Sequence, residues 1–182
     1  MDELIDILDA QGNYTGKSLM KSEAHRKGLF HPTVHIWFYN KKGEILLQQR
    51  AASKETYPLL WDISVAGHIG AGEDILPSAI REISEEIGLD VLEKDLIKVG
   101  VFKSVKKHRV GLTDSEFHHT YICELKVSLD TLKKQESEVK ALALLPLSKY
   151  IKELQQNSSS KKYVSHDHFY FKTIIDAIEN QL

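Results

Sequence analysis

The stretch from Gly67 to Leu89, GHIGAGEDILPSAIREISEEIGL, reads as a glycine-rich loop running into one amphipathic helix, and the rest of the chain can be placed around it. Asp74 is a helix-capping residue type, Pro77 falls in the first turn where a missing N–H costs little, and Gly88 supplies a left-handed residue to end the helix. The spacing therefore predicts a helix over Ile75–Ile87. At about 100° per residue, Leu76, Ala79, Ile80, Ile83 and Ile87 gather on one stripe, while Glu82, Glu85 and Glu86 gather on the neighbouring face.

Three carboxylates at i, i+3 and i+4 weaken an isolated helix by about a few tenths of a kcal/mol per like-charged pair. A solvated charged face usually offsets this with lysines at i+4, and this one offers only Arg81, four residues before Glu85. A hard divalent cation offsets it better, because Mg²⁺ prefers carboxylate, water and phosphate oxygens. Gly67, Gly70 and Gly72 let the backbone of the preceding loop approach a metal or a phosphate. No G-x4-G-K-[ST] sequence is present, so a P-loop nucleotide site is not supported.

Gly67, Glu73, Arg81, Glu82, Glu85, Glu86 and Gly88, with Ile83 and Leu89, fit the pattern G-x5-E-x7-R-E-U-x-E-E-x-G-U, where U is aliphatic, at every fixed position. By that segment the chain resembles the Nudix family of diphosphate-cleaving hydrolases. The resemblance implies an α/β fold, the Nudix α/β/α sandwich around a mixed β-sheet. It implies that Glu82, Glu85 and Glu86 hold Mg²⁺, with Mn²⁺ as the alternative. Gly67, Glu73, Arg81 and Gly88 are then structural, the arginine orienting the carboxylates.

Length and composition agree with one domain over 1–182: 182 residues, 42% hydrophobic and 27% charged, are ordinary for a globular protein with a proper core. The balance of 24 basic and 26 acidic residues, net −2, gives no electrostatic footprint for a nucleic acid polymer or an anionic membrane. No secretory signal or transmembrane span is legible, and the single cysteine, Cys123, excludes an internal disulfide framework and suits a reducing cytoplasm. Strands are expected at Leu4–Leu8, Val34–Asn40, Glu44–Gln49, Ile63–Ala66, Ile97–Val105, Glu116–Val127 and Val139–Leu145. Helices are expected at Lys21–Lys27, Ser148–Gln156 and Ser165–Asn180 as well as in the acidic segment, with a solvated loop at Asn157–Lys162.

Outside the acidic helix, LIDILDAQGNYTGK, the EAH ending at His25, His31, WFYNKKGEILLQQR and the WDISVAGH ending at His68 resemble one Nudix branch, the type I isopentenyl diphosphate isomerases. There, histidines matching His25, His31 and His68, with acids matching Asp114 and Glu116, hold a divalent metal, which implies a second cation site here. A lone histidine on a strand is more often a core residue than a ligand; the three matching positions weigh against that reading. The isomerases carry a catalytic cysteine where this chain has Ala66, and a methyl group cannot donate a proton. They also tend to have a degraded acidic segment, whereas this one is complete. Hydrolysis of a diphosphate linkage in a small metabolite, for example a nucleoside di- or triphosphate, therefore ranks above isomerisation and above a non-catalytic ligand-binding module.

In such a hydrolysis the backbone carbonyl of Ala66 is expected to join the metal ligands, and one of the three glutamates or an outside acid takes the proton of the attacking water. Glu116, on one strand face with His118, and Glu136 or Glu138 are the outside acids. Arg50 and Lys54 are candidates for meeting phosphate oxygens, although exposed basic residues at a strand end are commonly just solvated. Trp37, Tyr39 and Trp61 are candidates for stacking on a base, although aromatics in strands are more often core. His166 and His168 read as surface or capping residues, and His118 and His119 point to opposite sheet faces, against joint ligation. Cys123 reads as packing. Phe171, Ile174, Ile175, Ile178 and Leu182 form one side of the last helix, for docking on the sheet rather than for a homodimer.

Overall fold

The computed structural model describes residues 2–156 and 161–182. Its strands are β1 (Leu4–Leu8), β2 (Tyr14–Met20), β3 (Phe30–Tyr39), β4 (Glu44–Arg50), β5 (Trp61–Asp62), β6 (Val65–His68), β7 (Ile97–Arg109), β8 (Leu112–Glu124) and β9 (Val139–Pro146). Its helices are α1 (Lys21–Lys27), α2 (Ile75–Ile87), α3 (Leu147–Leu154) and α4 (His168–Glu179). α1, α2 and β1 fall where the sequence places them; β3 starts four residues before the expected Val34 and stops one short of Asn40, and β4 runs one residue past Gln49. β2 has no counterpart among the expected strands, because its alternation is hidden by solvent-facing polar residues on both faces. The β7–β8 hairpin extends ten residues further than expected at its turn end, Lys106 to Ser115, through a polar segment. Of the expected loop at Asn157–Lys162, positions 157–160 lie outside the described residues.

β3 is the spine. It runs parallel to β8 from Phe30↔Ser115 to Tyr39↔Glu124, and antiparallel to β1, β4 and β6, so the sheet is mixed. Successive side chains of a strand point to opposite faces. Val34, Ile36 and Phe38 meet Ala79, Ile83 and Ile87 of α2, whereas Trp37 and Tyr39 meet Tyr170, Ile174 and Ile178 of α4. β3 is thus apolar on both faces over this stretch, and the result is the expected α/β/α sandwich. Burying Ile83 and Ile87 completely is worth about 1.5–3 kcal/mol each, which exceeds the like-charge penalty on the opposite side of the same helix.

The sheet forks beside the acidic helix. β3 and β4 pair only at Tyr39↔Ile45; beyond that rung β3 takes β6 as its neighbour, while β4 takes β5 and β9. For this reason the expected strand at Ile63–Ala66 is only half formed: Ile63 and Ser64 lie between β5 and β6, and β6 starts at Val65 and runs on to His68. Buried Ser64 sits in the fork, its hydroxyl donating to Leu46 O and accepting from the Phe38 N–H at 2.8 Å. The two branches stay tied while the strands on either side of Ser64 diverge.

Candidate active site

α2 carries its acids from a helix whose other side is locked into the core. Asp74 occupies the N-cap but makes no side-chain capping bond; the Ser78 hydroxyl donates instead to Glu73 Oε2 (2.8 Å) and to Asp74 O (2.9 Å). Gly88 ends the helix with φ +64°, and a side chain there would also meet Lys133. At Gly67 a Cβ would overlap the Glu82 carboxylate.

Arg81 ties the segment together. Its Nη1 donates to Glu82 (2.8 Å) and Glu85 (3.2 Å), and its Nη2 donates to Glu73 (3.0 Å) and to His68 O (3.1 Å). Glu86 has no Lys or Arg partner among the described residues; it accepts from Gln48 Nε2 (2.9 Å) and from the Ala66 N–H (3.3 Å). Glu82 and Glu86 are buried and Glu85 is half exposed. Burial pushes Glu86 up to about 8, with the repulsion of Glu82 adding to it, and burial raises Glu82 to about 7 against the pull of Arg81. The segment is short of positive charge where its carboxylates are driest.

These acids open on a cavity of about 350 Å³ lined also by Ala66, Gly67, Arg50 and Lys54. Across it lies the histidine cluster: ligand atoms of His25, His31, His68 and Glu116 all fall within 4.8 Å of one another. Glu116 Oε1 stands 3.5 Å from His31 Nε2 and 3.7 Å from His68 Nε2, and Asp114 Oδ1 stands 3.7 Å from His25 Nδ1. The three Nε2 atoms are buried without a hydrogen-bond partner. His31 Nδ1–H donates to Leu29 O at 3.0 Å, which leaves its Nε2 lone pair facing the cluster, the arrangement usual behind a metal-ligating histidine. Orphaned nitrogens converging beside a carboxylate fit a divalent cation.

Trp37 and Tyr39 are core residues, as aromatics in strands usually are, and Trp61 packs against the same cluster, so none offers the cavity a stacking face. Other expectations need correction. His166 is neither surface nor cap: its side chain is 7% exposed, lies 3.4 Å from Asp62 and stacks on Tyr170, while Asp167 caps α4. His168 is exposed. Arg50 lines the cavity but is held by Asp62 (3.2 Å) and by the carbonyl (3.0 Å) and hydroxyl (3.2 Å) of Thr56; Lys54 pairs with Glu138. Glu136 pairs with Lys134 out in solvent, away from the cavity. Cys123 is packed as expected, its thiol pushed up to about 12 by burial.

Three cavity residues escaped sequence reasoning, His35, Asp62 and Lys106, as did Gln48, which holds Glu86 by a hydrogen bond. His35 lies four residues after His31 on the same face of β3, a signal that could have been read. Lys106 could have been found only by extending β7 through its polar half.

A family profile described as the NUDIX domain matches residues 29–167. The chain belongs to the Nudix family. Its acidic segment is therefore a Nudix box, and the family's reaction class is hydrolysis of pyrophosphate-type linkages. The chain is 34% identical over 170 residues to Nudix hydrolase 3 of Arabidopsis thaliana, covering 91% of this chain but 22% of that protein. It is 29% identical to an uncharacterized Nudix hydrolase of Clostridium acetobutylicum, over 97% of both. It is 36% identical to an isopentenyl-diphosphate Delta-isomerase of Serratia proteamaculans, over 67% of this chain and 66% of that one. Among solved structures, DR0079 of Deinococcus radiodurans superposes with a TM-score of 0.68 at 15% identity, covering 91% of this chain and 94% of that one, a likeness of fold. No helix among the described residues is long and apolar enough to cross a membrane.

Proposed function

We propose that this Nudix domain, acting as one unit over 1–182, hydrolyses a diphosphate linkage in a small metabolite with Mg²⁺, or Mn²⁺ in its place. The observation that carries this reading is the pair Glu82 and Glu86, buried together at the cavity wall, with no Lys or Arg paired to Glu86 among the described residues. Carboxylates that dry persist as anions only beside a positive charge, and a dication with a phosphoryl group supplies it.

Glu82, Glu85, Glu86 and the Ala66 carbonyl would hold the box cation, and His25, His31, His68 and Glu116 a second one of greater nitrogen affinity. Such cations neutralise phosphoryl charge and polarise the attacking water. Arg81 keeps the glutamates aimed. Arg50 and Lys54 present positive charge along one wall, where the oxygens of the departing phosphate lie. Glu116 is committed to the histidines; Glu138, on the cavity wall and tied only to Lys54, is the outside carboxylate free to take the water's proton. The reading places the protein in a reducing, cytoplasmic setting, as a monomer or a dimer that leaves the α4 face docked.

The isomerase likeness favours a second reading, conversion of isopentenyl to dimethylallyl diphosphate, against which Ala66 stands. Incubating the protein with Mg²⁺ and a panel of nucleotides, sugar nucleotides and prenyl diphosphates in ¹⁸O-water separates the two. Labelled phosphate or phosphomonoester supports hydrolysis; rearranged diphosphate without label supports isomerisation; no turnover of any compound supports a binding module.

A further inference from the structure

Beyond the two cation sites, the cavity has a floor that neither uses. Along the parallel pair β3–β8, His31 stands beside Glu116, Thr33 beside His118, and His35 beside Thr120. Residues two apart in a strand lie on one face about 6.7 Å apart, so His118 begins the next rung beyond the histidine cluster. His118 Nε2 is buried without a partner, on a side chain 4% exposed.

Hydrogen bonds behind these rings occupy one nitrogen of each. Trp37 Nε1, which can only donate, gives its proton to Tyr170 Oη at 2.8 Å, and Tyr170 Oη lies 2.9 Å from His35 Nδ1. Thr33 Oγ1 lies 2.8 Å from His118 Nδ1, so the free nitrogen of each ring is Nε2.

Lys106 of β7 faces the same space. It has no ion-pair partner among the described residues, its ammonium lies 5.4 Å from the Tyr57 ring centre, and its charge acts on both His118 and His166. Three acids act on Lys106, and each is engaged elsewhere: Asp62 by Arg50, the Ile63 N–H and His166, Glu116 by the histidine cluster, and Asp114 by His25 and His108.

A metal on His35, His118 and His166 is the competing use, since their nitrogens come within 4.8 Å of one another. The rings of His35 and His118 stack with centroids 3.9 Å apart and planes 16° from parallel, so their in-plane nitrogens run side by side instead of converging.

We propose that Lys106, His35 and His118 form an anion subsite that receives a second oxyanionic group of the substrate, a phosphate or a carboxylate. The substrate is then a compact diphosphate bearing that group about one strand rung, ~6–7 Å, from the histidine cation site. The substrate assignment rests on the hydrolase reading; binding of an anion to the subsite does not. Ala66 stands cross-strand from His35, so the subsite occupies the ground next to the position where the isomerases keep their cysteine.

The test is calorimetric titration of the EDTA-treated full chain with inorganic phosphate and, separately, with malonate. Tighter phosphate marks a phosphate subsite, and tighter malonate a carboxylate one. In Lys106→Met the preferred anion binds at least about tenfold more weakly, while Lys106→Arg and Glu86→Gln keep wild-type affinity. Nitrogen-15 shifts of His35 and His118 report protonated Nε2 atoms that move on anion binding. Equal affinity in wild type and Lys106→Met, or no binding of either anion, overturns the subsite. Anion binding that survives alongside a failed hydrolysis panel overturns the hydrolase reading and leaves the subsite standing.

Discussion

Glu82 lays its carboxylate against the bare Cα of Gly67, so closely that a Cβ at position 67 would lie 2.0 Å from the carboxylate carbon. The glycine is required here for close approach, since its backbone is not left-handed. Gly67→Ala should cost about 1–3 kcal/mol through overpacking and displace Glu82 from the cavity. Thermal melts check this together with the double variant Gly67→Ala/Glu82→Ala, which should recover most of the lost stability because the clashing group is gone. A single variant with an unchanged melting temperature would show that the contact is not tight.

Glu86 accepts from Gln48 and from Ala66, and a glutamine at 86 can accept from both. Glu86→Gln should therefore fold normally while losing at least about a hundredfold in turnover, because only the charge that supports a cation is removed. Steady-state rates with circular dichroism on the same preparation decide it; matching rates in the two proteins would remove Glu86 from the reaction.

Folded Glu82 and Glu86 sit near about 7 and about 8, above the ordinary 4.5. The folded protein without metal thus holds protons that the unfolded chain has released between these values. Stability of the EDTA-treated protein should be fully present below about pH 4.5 as far as these groups are concerned, and fall as pH rises through about 8, on the order of 2–4 kcal/mol. Glu86→Gln should flatten this slope. Denaturant titrations from about pH 6.5 to 8, above the range in which the buried neutral histidines add stability as pH rises, measure it, and a slope that Glu86→Gln leaves unchanged would contradict the burial argument.

The histidine site should retain a divalent ion through desalting, and His31→Ala should lose it while Glu85→Gln keeps it. Elemental analysis of the three proteins reads this directly. Equal metal content in wild type and His31→Ala would leave the orphaned nitrogens unexplained.

Cys123 is buried in the core with its thiol raised to about 12, so it should resist a thiol reagent in the native protein and react at once in denaturant. Rapid native labelling would mean that the α2 side of the sheet opens readily.

Local patterns were enough for the parts of this protein built within a single element. The α2 boundaries followed from Gly88 and a 3.6-residue stripe, and the packing of Cys123 followed from alternation along β8. The base-stacking option for Trp37 and Tyr39 failed because β3 is covered on both faces, which no strand pattern reveals about itself. His166 was misread because its neighbours, Asp62 and Tyr170, come from β5 and from α4, and only folding brings them to it.

The Nudix box is a short-range object: helical geometry alone places Glu82, Glu85 and Glu86 together, so the sequence by itself determined the family, the fold class and the acids that share one side of α2. The cavity is a long-range object. His31, His68 and Glu116 meet, and Lys106 comes to share their space with His35 and His118, only because β3 accepts β6 on one side and β8 on the other; that pairing is chosen by burial of both faces of β3, an energy summed over the whole chain.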